Sequence, residues 1–553
     1  MRRILRTASA LLALGVVSAE AQVPEHVERL SALGRVWGFL KYYHPGVAAG
    51  TVNWDSAAVA AVPRVRAARS SAEFDTVLQS LFDAAGVVRP CGAACRTTPP
   101  ESLSRNLDLR WLTDSKMLSP GVRRQLEHVR DNRHQGRSRY VSYTITATFD
   151  ADTAYGAPEY PAEGVRLLAL YRFWNAARYF FPYMYVNGGD WNDVLPEFIP
   201  RLIAASDAEQ YHLTLLELTT RLRDTHVGGG SPVIARAFGS RTPWFDARVI
   251  EGKVVVAKLL PTAPSDGGGL RVGDVITHID GVPIEQRRAA LARYTAAGNP
   301  ATLDRKVVAT MLRARGDSVT YAIERDGQSI TRRVSMAPQP TGPPQLPVYP
   351  VTQLARMLPN STIGYINMGD ITGAQVDSAI AIVKGATGIV MDVRNYPRGT
   401  MYLFANFLNP AARPFAKFTS VDTSFPGAVR WTPSLPAGRS GGNGDHFKGR
   451  VAILVDERTQ SHAEFTAMAL RTSPENKVIG SQTAGADGNI TRLTLPGGFR
   501  TLFTGLGVYY PDGRATQRVG IVPDIEVRPT LRGLRAGRDE VLERAIEYIR
   551  TGR

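Results

Sequence analysis

Two short stretches of this 553-residue chain supply a hydroxyl and an imidazole of the kinds that act together in catalysis. In "TQSHAEF", Ser461 stands between an apolar run, "VAILVD" (451–456), and a segment with helical spacing, where Phe465, Met468 and Leu470 form a stripe. A serine at such a joint sits at a helix N-terminus, where unpaired N–H groups and the helix dipole favour a developing negative charge. Ser461 and Glu464 also fit the S-x-x-E capping box, so a helix cap and a nucleophile are both open readings. The second stretch, "LRDTHVGGGSPV", offers Asp224, Thr225 and His226 before three glycines. A serine hydroxyl becomes nucleophilic when a base takes its proton, and neutral imidazole does this near pH 7. The implied chemistry is acyl transfer through a covalent serine intermediate. The side chain of His462, next to the serine, is a second candidate for direct participation.

The histidine belongs to a duplicated helical region. "RVWGFLKYYHP" (35–45) matches "RFWNAARYFFP" (172–182) at an offset of 137 residues. The same offset relates Trp54 to Trp191, Pro63 to Pro200, Phe74 to Tyr211 and Leu78 to Leu215. Each copy reads as an apolar helix, a Pro-terminated turn and further helices, over 22–96 and 161–239. Where copy two has Asp224, Thr225 and His226, copy one has Val87, Val88 and Arg89. The packing residues are duplicated and the ionisable group is not, which favours a role for His226 beyond the scaffold. Residues 97–160 read as a linker with short elements, including a β piece at "YVSYTITATF".

Two further regions follow. Residues 240–337 have strand patterning with turn signals at Gly273-Asp274 and Asp280-Gly281. After the Pro-rich "APQPTGPPQLPVYP", residues 338–553 alternate strands and helices, which predicts an α/β domain with sites in loops at strand carboxyl ends. One such loop is "DVRNYPRGTMYL" and another carries Ser461.

The string "GGLRVGDVITHIDG" resembles a PDZ domain, whose relatives capture an extended peptide at a sheet edge and hold its carboxylate with backbone N–H groups. That resemblance assigns peptide binding to Gly268, Gly269 and Leu270. "VDERTQSHAEFTAMAL" resembles the nucleophile segment of C-terminal-processing (tail-specific) serine peptidases. "GIVMDVRNYPRG" and "RATQRVGIVPDIEV" resemble their D-x-R-x-N-x-G-G loop and terminal G-x-x-P-D-I-x-V signature. The joint resemblance covers about residues 160–550. It implies a multidomain α/β protein: a duplicated helical region, a PDZ-like β domain and a crotonase- and ClpP-like catalytic domain. In one branch of the family a lysine partners the serine about 25 residues on, where this chain has Ala486. The D-[ST]-H motif at 224–226 resembles the other branch, related to the tricorn core and to retinoid-binding-protein-like peptidases. By that resemblance Ser461 is the nucleophile and His226 the base, with the backbone N–H groups of Gly399 and His462 as oxyanion donors. Where the family has a glycine before Gly399, this chain has Arg398. Where the branch has a glutamate near the terminal signature, it has Gln517, so Thr225, Gln517, Asp224 or Asp487 is left to orient the imidazole. These departures also leave a reading as a non-catalytic peptide-binding protein that keeps the fold. A small-ligand carrier rests only on distant fold relatives.

The N-terminus, "MRRILRTASALLALGVVSAEAQ", reads as a secretory signal peptide over 1–21, with a small-x-small cleavage site at Ala19-Glu20-Ala21. The expected mature protein is exported, to the periplasm or outside the cell, with no membrane span. The formal charge is +16 and falls to +14 without that segment. The excess is scattered arginine with no dense basic run, which argues for a solvated basic surface and against nucleic acid. Cys91 and Cys95 fit a local disulfide in an exported protein. No HExxH pattern occurs and no cofactor is implied. The expected partner is a polypeptide substrate.

Overall fold

This computed structural model describes residues 23–92, 95, 106–261, 263–264, 267–339, 353–422, 425–473 and 475–553. The N-terminal stretch read as a signal peptide and most of the Pro-rich connection lie outside the described residues. Among the described residues no helix is long and apolar enough to cross a membrane. Cys91 and Cys95 are joined in a disulfide.

The sequence repeat is a repeat of structure. Helices Glu25–Tyr43, Trp54–Ala67 and Ser71–Ala85 recur as Glu163–Phe180, Val194–Ala204 and Ala208–Thr219. A buried indole N–H needs an acceptor, and both copies meet that need in the same way. Trp37 Nε1 donates to the Trp54 carbonyl and Trp54 Nε1 to the Trp37 carbonyl, both at 2.9 Å. In copy two, Trp174 and Trp191 exchange the same pair of bonds at 2.8 and 3.1 Å. The two long helices touch where copy one has glycine: a Cβ on Gly38 would collide with the Asn175 side chain. Asn175 Nδ2 spans the seam to the Gly34 carbonyl at 3.0 Å. Pro63 and Pro200 lie inside their helices in both copies.

Residues 241–338 build a sheet in the order 241–243, 328–338, 318–325, 275–279, 253–259, 245–250, with helices Ile284–Ala292 and Pro300–Met311. Its core is built around Trp244, Val256, Ile276 and Tyr321.

The C-terminal region centres on a six-stranded sheet in the order 355–357, 363–367, 388–392, 450–455, 476–480, 525–526, parallel except for its first edge strand. The inner strands are apolar on both faces because helices cover both. Phe404, Ala467 and Met468 pack on one side, and Val541, Ala545 and Ile549 on the other. The terminal signature supplies the last strand: Ile525 pairs with Ile479, and Asp524 Oδ2 accepts from the Val478 N–H at 2.8 Å. A hairpin of Ile490–Leu495 and Phe499–Thr504 leaves this domain and takes Gly228–Gly230 as a third antiparallel strand. The strand that follows His226 is thereby stitched to the C-terminal region.

Candidate active site

Ser461 follows the strand 450–455 and caps helix His462–Leu470. Its φ is 58° and its ψ −126°. A non-glycine residue held there is strained by about 1–3 kcal/mol, and such strain gathers where a side chain must be presented outward. Several bonds hold it. The Ser461 N–H donates to the Ala486 carbonyl at 2.8 Å and to Glu464 Oε2 at 3.2 Å. The buried Glu464 carboxylate also accepts from the Thr483 hydroxyl and from the N–H groups of Gly485 (2.8 Å) and Ala486 (3.0 Å). The expected capping partner therefore pins the Ser461 turn to the loop 483–487.

His226 reaches the same loop from the helical region. Thr225 Oγ1 donates to the Ala484 carbonyl at 2.8 Å, two residues from the carbonyl that holds Ser461. Thr225 also accepts from the Gly298 N–H at 2.9 Å, so it anchors the segment and makes no bond to the imidazole. The imidazole is oriented by Thr504, whose Oγ1 lies 2.8 Å from His226 Nδ1. The same Oγ1 is 3.0 Å from Asp224 Oδ1, and the Thr504 N–H donates to Oδ2 at 2.7 Å. The fully buried Asp224 further accepts from the His226 N–H at 3.0 Å and from Gln517 Nε2 at 3.1 Å.

These bonds fix the tautomer. Asp224 receives N–H donors that can only donate, so it acts as an acceptor. The single Thr504 hydroxyl proton then points to Asp224, and the Thr504 oxygen accepts from His226 Nδ1–H. That leaves the lone pair on Nε2, as a general base requires. Burial pushes the His226 pKa below its ordinary value; Asp224 opposes this, and Lys306 and Arg305 add to it. Asp224 itself stands 4.0 Å from Nδ1 and acts through the threonine. Gln517 is buried as a donor to that carboxylate. Asp487 accepts from the Gly488 N–H at 2.7 Å and makes no bond to the imidazole.

The sequence motifs alone pass over Thr504. Its signal is register: Leu502 pairs with Gly228 and Thr501 with Gly229, which carries Thr504 opposite His226. That pairing is hidden because Gly228–Gly230 has no strand propensity of its own.

Across the Ser461 turn lies the loop after strand 388–392. Gly399 has φ +79°, and a Cβ there would lie 3.9 Å from His462 Nε2. Arg398 turns outward and pairs with Asp370 at 3.0 Å. The charged residues of the D-x-R motif brace the loop from behind: Arg394 binds Asp392 and Asp539, each at 2.7 Å, and Tyr365 donates to Asp392 at 2.8 Å. His462 Nε2 is buried without a partner, beside Tyr396 at a ring distance of 6.3 Å.

The sequence model of peptidase family S41 matches residues 362–527. These residues are a peptidase family S41 domain. The S41 domain contains Ser461, His462, Gly399 and Gln517, whereas Asp224, Thr225 and His226 come to it from the helical region. The chain is 22% identical over 407 residues to tricorn protease homolog 2 of Streptomyces coelicolor, covering 69% of this chain and 31% of that one. It is 25% identical over 293 residues to the chloroplastic C-terminal processing peptidase of Tetradesmus obliquus, covering 50% and 57%. The chain thus spans about a third to just over half the length of these relatives. Among solved structures, mature CPAF complexed with lactacystin shares its fold, with a TM-score of 0.52, 13% identity, and coverage of 70% of this chain and 97% of that one.

Gly268 and Gly269 lie outside the S41 domain, in a turn where a Cβ would meet the Trp244 and Arg332 side chains respectively. Leu270 is buried in the core of the β region. A cleft of about 480 Å3 opens elsewhere, between strand 245–250, helix Pro300–Met311 and the S41 residues Glu457, Arg458, Ser481 and Gln482. Arg248 closes one side of it with ion pairs to Asp456 at 3.3 Å and Glu457 at 2.6 Å.

Proposed function

We propose that this protein is an exported serine endopeptidase. Ser461 Oγ attacks a peptide carbonyl while His226 Nε2 takes its proton. The Gly399 and His462 N–H groups stabilise the tetrahedral oxyanion. His226 then gives the proton to the leaving amine, and water, activated by the same imidazole, hydrolyses the acyl-enzyme. Thr504 and Asp224 hold the imidazole in its reactive tautomer and stabilise the imidazolium. Residues 240–337 act as the PDZ-like module. The cleft between strand 245–250 and helix Pro300–Met311 is the better candidate for an extended peptide, because it has a strand edge and open volume. Gly268 and Gly269 remain candidates through the turn they form.

The observation that carries this reading is the hydrogen-bonded chain from Asp224 through Thr504 to His226, anchored on the loop that also holds Ser461. Its test is hydrolysis of an unfolded protein by the parent, Ser461→Ala and His226→Ala. Both variants should lose activity by about 10³-fold or more. Parent-like hydrolysis by both would leave the protein as a peptide binder that keeps a peptidase fold.

A further inference from the structure

The β region contributes more to the site than a cleft. Helix Pro300–Met311 starts at Asn299, whose side chain caps it by accepting from the Thr302 N–H at 3.0 Å and also donates to the Thr483 carbonyl at 2.8 Å. Two consecutive residues of this helix then grip the two halves of the catalytic pair. Arg305 Nη2 donates to Gln460 Oε1 at 2.7 Å, one residue before Ser461. Lys306 Nζ donates to the Thr225 carbonyl at 3.0 Å and to the Val227 carbonyl at 2.7 Å, on either side of His226.

We propose that Lys306 is a positioning residue for His226, holding the carbonyls of the residues on both sides of the base and placing a positive charge beside it.

The geometry gives two separable effects. The first is mechanical. Thr225 and Val227 flank His226, and one ammonium bonded to both carbonyls ties the peptide unit before His226 to the one after Val227, bracketing the residue from which the imidazole projects. Strand pairing begins only at Gly228, so nothing in the ladder secures those two carbonyls. The second is electrostatic. The groups facing His226 are Asp224 on its own segment, Thr504 on the hairpin, and Lys306 and Arg305 on the helix. Those facing Lys306 are Arg305 and Asp224. Asp224 favours a protonated imidazole, and the two cations oppose it, so the helix keeps the base free of a proton. Burial and Arg305 bring the Lys306 pKa down to about 8, which leaves the ammonium charged at neutral pH. A lysine thus reaches this site from outside the S41-matched segment, while Ala486 stands where one branch of the family has its partner lysine.

This inference rests on the peptidase reading, and Ser461→Ala on an unfolded protein substrate tests that reading separately. Full-length Lys306→Met and Lys306→Arg are compared with the parent for kcat, KM and the pH profile of kcat/KM on the same substrate. Lys306→Met should lower kcat by about 10-fold or more with little change in KM. It should also move the acid limb of kcat/KM upward by about half a pH unit or more, because loss of the cation lets His226 bind a proton more readily. Lys306→Arg should restore the acid limb. A merely structural lysine would lower the melting temperature and leave the limb in place. If Lys306→Met fails to fold, Lys306→Gln keeps a donor without the charge and should show the same upward limb. An unmoved acid limb in whichever variant folds overturns the proposal, provided Ser461→Ala is inactive.

Discussion

Thr504 Oγ1 lies 2.8 Å from His226 Nδ1 and 3.0 Å from Asp224 Oδ1, so one hydroxyl joins the imidazole to the carboxylate that orients it. Thr504→Val keeps the shape of the side chain and removes that hydroxyl. A bond to a charged group contributes about 1.5–3 kcal/mol, so kcat should fall by about 10- to 150-fold. KM should change little, because no substrate contact is lost. Thr504→Ser should recover most of the rate. Steady-state kinetics on the three proteins check this, and a valine variant as fast as the parent would remove threonine from the relay.

Protonation of His226 blocks the base. The active form is therefore the neutral imidazole, present above the folded-state pKa and lost as pH falls through it. Burial, with Lys306 and Arg305, depresses that pKa below the ordinary 6.5, while Asp224 counters them. The acid limb of kcat/KM should accordingly be centred below pH 6.5. Asp224→Asn removes the one charge that raises it, so the limb should move lower still as kcat drops by up to about 10⁴-fold. A limb centred at or above pH 6.5 in the parent contradicts this assignment.

The backbone at Ser461 predicts a trade of stability against activity. With φ at 58°, any side chain with a Cβ is strained, and glycine is not. Ser461→Gly should be more stable than Ser461→Ala by about 1 kcal/mol, although both are inactive. Thermal unfolding of the pair measures the difference. Equal melting temperatures would mean that the turn relaxes in the alanine variant.

What could be read from the sequence depended on how local each signal was. The duplication was legible because one offset relates Trp37 to Trp174 and Trp54 to Trp191, and those residues make identical bonds. Ser461 and His226 stood out through their flanking motifs. In the sequence Gln517 reads as a missing charge, whereas its bond to Asp224 depends on the three-dimensional arrangement. Arg398 stands where the family has a glycine, and its side chain points away to Asp370. Thr504 and Lys306 carried no local signal. One is delivered by the register of a strand made of three glycines, and the other by a helix of a separate region. Contacts that depend on how distant segments dock leave no periodicity for the sequence to display.

The loop 483–487 receives the serine turn, the histidine segment and the cap of helix Pro300–Met311. Thr225 lies 259 positions from Ala484 and Asn299 lies 184 from Thr483, so these contacts close long stretches of chain. The histidine leaves the ribosome first, the serine well after it, and Thr504 later again. A growing chain therefore holds each of these groups without the others, and the site proposed for catalysis is assembled only in the finished molecule.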